Sequence, residues 1–138
     1  MRPKKVILLV GADEVGQSVL SYILVTHAYK VVQATSGEQA IELFTSMQVD
    51  LVLADVDMHG MNGVELARKL KAIAEHIPII LLGDLEKMAD GFPYAYTLLN
   101  KNTVSSAELL YRVKLLSVGK KGPKPGFKLR RAAEAQTA

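Results

Sequence analysis

Short apolar runs alternate along the chain with segments in which apolar residues recur every three or four positions. The runs predict five β-strands, at 5–10, 30–34, 51–54, 77–82 and 94–99. The periodic segments predict four helices, at 14–27, 37–47, 64–75 and 105–118. A weaker helix is expected in 83–93, where Gly91 and Pro93 would end it. Alternating strands and helices predict an α/β fold with a parallel sheet covered on both faces, a doubly wound (βα)5 architecture.

Two short segments fit the signatures of helix starts. "TSGEQ" at 35–39 and "SSAE" at 105–108 each place a hydroxyl residue three positions before an amide or carboxylate side chain. We therefore expect the second helix and the last helix to begin there.

Composition and charge divide the chain into two parts. The 138 residues are enough for one domain with its own core, and the absence of cysteine excludes disulfides and thiolate chemistry. Residues 120–138 carry six basic groups and one acidic group among glycines and prolines, whereas 1–119 carry eleven basic and thirteen acidic groups. We predict a domain over 1–119 and a basic tail over 120–138, which is either a linker or an arm for nucleic acid or acidic lipid. Composition favours the linker, and nucleic acid is not an expected partner of the domain.

No apolar run approaches the length of a membrane span, and the run at 5–10 is too short for the core of a signal peptide. We therefore expect a cytoplasmic protein with no membrane partner.

Candidate chemistry lies where the strands end, because ligands of open α/β sheets bind at the carboxyl ends of the strands. The groups there are Gly11–Glu14, Asp55–Asp57, Gly83–Asp84 and Leu99–Asn102. A carboxylate at a buried strand end can accept a phosphoryl group as an acyl phosphate. That reaction needs a divalent cation held by neighbouring carboxylates, a hydroxyl for a phosphoryl oxygen, and a lysine that counters the charge.

Two segments carry a resemblance to a known family. "DLVLADVDMHGMNGVEL" at 50–66 resembles the strand and loop around the phospho-accepting aspartate of response-regulator receiver domains. "KVVQATSGEQAIELF" at 30–44 resembles their second strand and helix, and the resemblance extends from residue 5 to about 118.

The resemblance implies a flavodoxin-like sheet with strand order 2-1-3-4-5 and a role in two-component phosphorelay signalling. It places Asp55 at the phosphoacceptor position and Tyr96 at the aromatic switch position. It also implies a histidine kinase, a phosphotransfer protein or another signalling protein as partner, allows a homodimer, and does not imply an enzyme in the ordinary sense.

Several positions depart from the receiver pattern. Gly11 and Ala12 stand where receivers have an acidic pair that holds the metal, and Gly83 stands where they have a hydroxyl residue. The expected lysine is either Lys101, with an offset, or is replaced by Leu99.

The remaining candidate ligands for Mg²⁺ are Asp55, Asp57 and Asp13, so we predict weak binding or none. The degenerate site leaves a second interpretation open, in which an atypical receiver acts as a protein-interaction module without phosphorylation.

Two further interpretations are weaker. "GADEVGQS" at 11–18 has the form of a phosphate-binding loop after a strand, but Gln17 replaces the lysine and two carboxylates occupy the loop. "DMH" at 57–59 faintly resembles a cobalamin-binding motif, but it follows the third strand and its glycine comes one residue late. The three histidines are far apart in the sequence, so no metal cluster is predicted.

Overall fold

The computed structural model describes residues 4–84 and 97–119. Along these ranges the strands and helices alternate as β1 (Val6–Val10), α1 (Glu14–Thr26), β2 (Lys30–Ala34), α2 (Gly37–Ser46), β3 (Leu51–Asp55), α3 (Gly63–Ile73), β4 (Ile79–Gly83), β5 (Thr97–Asn100) and α4 (Ser106–Gly119). All neighbouring strands pair in parallel, in the order β2-β1-β3-β4-β5. The predicted doubly wound α/β sheet and its strand order are confirmed.

The ends of β4 and β5 differ from the prediction. Ile77 belongs to the turn after α3, where its N–H donates to the Ala74 carbonyl, so β4 begins later than expected. At the other end β4 extends to Gly83, which pairs with Asn100, so β5 runs one residue beyond its predicted end. The segment 85–96, with the predicted weak helix, the predicted start of β5 and Tyr96, lies outside the described residues, as does the tail 120–138.

The central strands are apolar on both faces because each face has its own core. One core joins alternate residues of the sheet, such as Leu8, Val52 and Leu81, to helices α2 and α3. The other joins the intervening residues, such as Leu9, Leu53 and Leu82, to Leu24 of α1 and Val113 of α4. This double burial explains the continuous apolar runs at β1, β3 and β4, since a strand buried on both sides shows no alternation.

Both predicted helix-start signatures form the expected caps. The Ser36 hydroxyl accepts from the Gln39 N–H at 3.1 Å, and the Thr35 N–H donates back to the Gln39 side chain at 2.8 Å. The Ser105 hydroxyl accepts from the Glu108 N–H at 3.1 Å. These caps begin α2 and α4 where the sequence predicted, because they satisfy N–H groups that have no partner within the helix.

Helix α1 is apolar on more than its inward face. Leu24 is fully buried against the sheet, and four apolar side chains of the same helix are at least half exposed, namely Val15, Val19, Tyr22 and Val25. Within residues 4–84 and 97–119, no helix is both long enough and apolar enough to cross a membrane.

Candidate functional site

Asp55 is the last residue of β3 and is held at the carboxyl edge of the sheet by its neighbours. The Val56 N–H donates to the Leu82 carbonyl at 2.8 Å, and the Gly63 N–H donates to the Val56 carbonyl at 2.9 Å. A Cβ on Gly63 would overlap the carbonyl oxygen of Asp55, so α3 begins in direct contact with the backbone of this residue. Only glycine permits that approach, and the contact fixes the start of α3 against the end of β3, which carries the candidate acceptor.

Lys101 follows β5 on the same edge. Its N–H donates to the Gly83 carbonyl at 3.0 Å, and Leu99, two residues earlier, is buried opposite Leu82. Side chains alternate along a strand, so Lys101 follows Leu99 on the face that Asp55 shares. Lys101 and Asp55 line one cleft, and the lysine charge acts on the carboxyl. Of the two alternatives for the lysine position, the structure places Lys101 beside Asp55 and Leu99 in the core.

The environment of Asp55 disfavours its charged form. Burial raises the pKa of Asp55 above its ordinary value of 3.8, the Lys101 ammonium lowers this pKa, and the charges of Asp13 and Asp57 raise it. The net effect is a raised pKa, because the lysine does not fully offset the loss of hydration and the two like charges. Asp55 is therefore a carboxylate whose negative charge is only partly compensated by the chain.

Replacing Asp55 by asparagine is expected to stabilise the protein at neutral pH. When the folded-state pKa of Asp55 lies above the unfolded value, the folded chain binds more protons than the unfolded chain at pH values between the two. The stability therefore falls as pH rises from the unfolded to the folded pKa. The gain from Asp55→Asn should be absent well below pH 3.8, where Asp55 is protonated in both states, should grow as pH rises from there to the folded pKa, and should level off above it. Urea unfolding across the acidic to neutral range measures this.

The matched control is Glu42→Gln, which removes a carboxylate from an exposed position on α2. It corrects for the change in net charge. A destabilising Asp55→Asn at neutral pH, or a difference that does not vary with pH, would contradict the environment described for Asp55.

The first position of the missing acidic pair lies next to Asp55. Gly11 directly follows the register pair Val10 and Ala54, so it stands beside Asp55 at the edge of the sheet. The point where a Cβ of Gly11 would lie is 2.8 Å from Gln17 Nε2 and 3.2 Å from Asp55 Oδ2. The Gln17 carboxamide thus occupies the volume into which a carboxylate at position 11 would extend.

The other candidate metal ligands lie around this point without forming a cluster. Ala12, at the second position of the missing acidic pair, has no ligand atom in its side chain. It is exposed and lines a separate pocket of about 300 Å³ beside β2. Asp13 is the N-cap residue of α1, with its carboxylate packed against Gly16, and it lines the cleft with Asp55, whereas Asp57 is exposed. Within the described ranges, no three His, Cys, Asp or Glu residues are placed to hold a metal ion. The donors present do not fit a resident Mg²⁺, which needs several oxygens in near-octahedral array.

The resemblance to receivers gives two switch positions, Gly83 in place of the hydroxyl residue and Tyr96 as the aromatic residue. Gly83 is buried at the end of β4, where its carbonyl accepts a hydrogen bond from the Lys101 N–H. It has no side-chain hydroxyl. Tyr96 lies outside the described residues and stays a prediction.

The cleft beside Asp55 lies between α1 and the loop that leads into α4. Its volume is about 510 Å³. Its walls are largely apolar, from residues such as Leu20, Ile23 and Leu109, and its polar groups include Asp13, Gln17, Asp55 and Lys101. Gln17 was predicted only as the residue that replaces the lysine of a phosphate-binding loop, and no place beside Asp55 was expected for it. The signal for it was its spacing, since it shares the inward face of α1 with Leu20 and Leu24.

The geometry does not support a phosphate-binding loop at 11–18. Gly11 is buried at the end of β1, and α1 already begins at Glu14, so Gly16 is inside a helix. Only three residues connect the strand to the helix, and Asp13 and Glu14 place negative charge where a phosphate would need donors.

Comparison with known proteins agrees with this geometry. The family model of the response regulator receiver domain matches residues 7–96. The autoinducer 1 sensor kinase/phosphatase LuxN of Vibrio campbellii is 31% identical over 121 residues, which cover 73% of this chain and 14% of LuxN. The sporulation initiation phosphotransferase F of Bacillus subtilis is 31% identical over 87 residues, covering 60% of this chain and 70% of that protein. The chain therefore spans only a small part of the sensor kinase that it matches.

Solved structures show the same fold. The response regulator TrrA of Thermotoga maritima, in complex with Mg²⁺-BeF, has a TM-score of 0.74 and 29% identity, covering 81% of this chain and 98% of TrrA. The receiver domain of an HD domain-containing protein of Pseudomonas fluorescens has a TM-score of 0.76 and 26% identity, covering 86% of this chain and 90% of that domain. With the strand order, the strand-end Asp55 and the matched family model together, the chain belongs to the receiver domains of two-component signalling.

Proposed function

We propose that this receiver domain acts by recognising a partner protein in one conformation, with Asp55 at the phosphoacceptor position but without efficient metal-dependent phosphorylation. Receiver domains are signalling modules, and their partners are histidine kinases and phosphotransfer proteins. The observation that carries the proposal is the arrangement at Gly11, where the Gln17 carboxamide lies in place of a metal-binding carboxylate.

The charge balance at Asp55 supports the proposal. Transfer of a phosphoryl group to a carboxylate brings more negative charge to a carboxyl whose pKa burial already raises. Enzymes and receivers offset such charge with a metal ion and fixed cations. Here Lys101 supplies one positive charge, and Asp13 and Asp57 oppose it.

A second candidate is phosphorylation of Asp55 by a histidine kinase or a phosphotransfer protein. The observation that favours it is the retained arrangement of Asp55 and Lys101 at one strand edge, with Asp13 in the same cleft. The names of two relatives, a sensor kinase/phosphatase and a phosphotransferase, agree with this chemistry in those proteins.

Labelling by a small phosphodonor distinguishes the two candidates. The full chain is incubated with acetyl phosphate or phosphoramidate, with and without Mg²⁺, and its intact mass is measured. Asp55→Asn is the control for phosphorylation at other residues. We expect little or no phosphoryl adduct, with no gain on adding Mg²⁺. A near-complete adduct that needs Mg²⁺ and disappears in Asp55→Asn would establish the second candidate.

A further inference from the structure

Gln17 is a buried polar side chain on the inward face of α1. It is only 7% exposed, yet its carboxamide makes no hydrogen bond to any residue in 4–84 or 97–119. A buried amide without partners costs about 1–3 kcal/mol, so such a group calls for an explanation in its surroundings. Its neighbours on the inward face of α1 are Leu20 and Leu24, which pack into the core. An apolar residue at position 17 would suit this face better if the position served packing alone.

The surroundings of Gln17 are the candidate site. Its Nε2 lies 2.8 Å from the position of a Cβ on Gly11, and Asp55 Oδ2 lies 3.2 Å from the same position. The carboxamide and the acceptor carboxylate therefore share the space beside Gly11. Gln17 also lines the cleft that holds Asp13, Asp55 and Lys101.

We propose that Gln17 is the residue that keeps a divalent cation away from Asp55, because its uncharged carboxamide fills the place of a metal-binding carboxylate. Unlike a carboxylate, the carboxamide brings no negative charge that would attract a cation there. The carboxylates left are Asp13 and Asp55 in the cleft and the exposed Asp57, one fewer than with a carboxylate beside Gly11, and the affinity for a hard cation depends on the number of charged ligands. This inference deepens the proposed function and rests on it for its biological meaning, but cation binding is measurable by itself.

The geometry has a consequence for restoring the site. Gly11→Asp alone would bring its Cβ 2.8 Å from Gln17 Nε2, so the flexible carboxamide must turn aside before the new carboxylate can bind a cation, and the gain in affinity should be smaller than without that side chain. The double substitution Gly11→Asp with Gln17→Ala removes that obstacle. Gln17→Glu is the simplest change, because it keeps the shape of the side chain and adds a third carboxylate to Asp13 and Asp55.

The experiment is a titration of the full chain with Mn²⁺ alone, read by calorimetry and by paramagnetic broadening of backbone amide signals near Gly11 and Asp55. The control is Gln48→Glu, which makes the same chemical change at an exposed position between α2 and β3. We expect Gln17→Glu to bind Mn²⁺ at least about tenfold more tightly than either the wild type or Gln48→Glu. The amide signals at the ends of β1 and β3, near Gly11 and Asp55, should be broadened. The double variant should gain affinity in the same way, and Gly11→Asp alone should gain less.

Three outcomes would overturn the inference. They are tight binding by the wild type, equal affinity of Gln17→Glu and Gln48→Glu, and a full gain in Gly11→Asp alone. If Gln17→Glu does not fold, the double variant decides, since it adds no charge at position 17. Failure of the proposed function would look different, because it would appear as Mg²⁺-dependent labelling of wild-type Asp55.

Discussion

Gly63→Ala is expected to lower the free energy of unfolding by about 3 kcal/mol, among the largest effects of any single substitution in this domain. The new Cβ would overlap the Asp55 carbonyl oxygen and lie 2.8 Å from Val56 Cα. Both are backbone atoms held by the sheet, since the Val56 N–H bonds to the Leu82 carbonyl. Relief requires α3 or the loop after β3 to move, and either movement displaces Asp55. Urea unfolding measures the loss of stability.

Gly60→Ala is the matched control, in the loop between β3 and α3. Gly60 has a φ of 74°, and nothing lies within 4 Å of the point that a Cβ would occupy, so the substitution costs only the left-handed backbone strain, about 1–2 kcal/mol. The difference between the two variants isolates the contact between Gly63 and Asp55. Equal losses of stability in both variants would show that the start of α3 is not in close contact with the backbone of Asp55 and Val56.

Leu24→Ala is expected to destabilise the domain by about 3 kcal/mol. Leu24 is 0% exposed and packs in the core between the sheet, α1 and α4. Removing its side chain leaves a cavity where α1 is attached to the sheet, because the neighbouring strands cannot collapse into it. Since α1 also carries Gln17 and follows directly on Asp13, its attachment determines where these groups lie relative to Asp55. Thermal or urea unfolding measures the effect.

Val25→Ala is the control, one residue further along the same helix. Val25 is 50% exposed, so its truncation should cost less than about 1 kcal/mol. A Val25→Ala variant as unstable as Leu24→Ala would contradict the orientation of α1.

The fold was largely predictable because its signals are local and repeated. The elements that were predicted locally are present in the fold. They include the apolar strands β1, β3 and β4 and the helices that begin at the Ser36 and Ser105 caps. The inward face of α1 was less clear from the sequence, because Val15, Val19 and Tyr22 are apolar like the residues that are buried. An apolar residue on a helix does not by itself show on which side the sheet lies.

The candidate site was predictable in part. Asp55 could be placed at the acceptor position because it follows an apolar run. The position of the receiver lysine could be narrowed to two alternatives, Lys101 and Leu99. The choice between Lys101 and Leu99 depended on the pairing of Gly83 with Asn100, which is a register between strands distant in sequence. The role of Gln17 depended on the packing of α1 across Gly11, which no motif contains.

The absence of a hydroxyl at Gly83 bears on how a modified Asp55 could signal. The Gly83 carbonyl already bonds to the Lys101 N–H, so the end of β4 is tied to β5 through the backbone. A ligand shifts a conformational equilibrium only through its different affinities for the two states. With no side chain at position 83 to follow a phosphoryl oxygen, a group bound at Asp55 has little means to favour a second state.

Beryllofluoride with Mg²⁺ tests the central claim most directly, because it imitates the acyl phosphate without requiring a kinase. Backbone amide spectra of the full chain are recorded with and without the reagent, with TrrA, known in a Mg²⁺-BeF complex, as the positive control. We predict that the signals of Gly83 and Lys101 stay nearly unchanged in this protein while those of TrrA shift. Large, saturable shifts at Gly83 and Lys101 that disappear in Asp55→Asn would contradict the account, since they would show a metal-dependent acceptor coupled to β4 and β5.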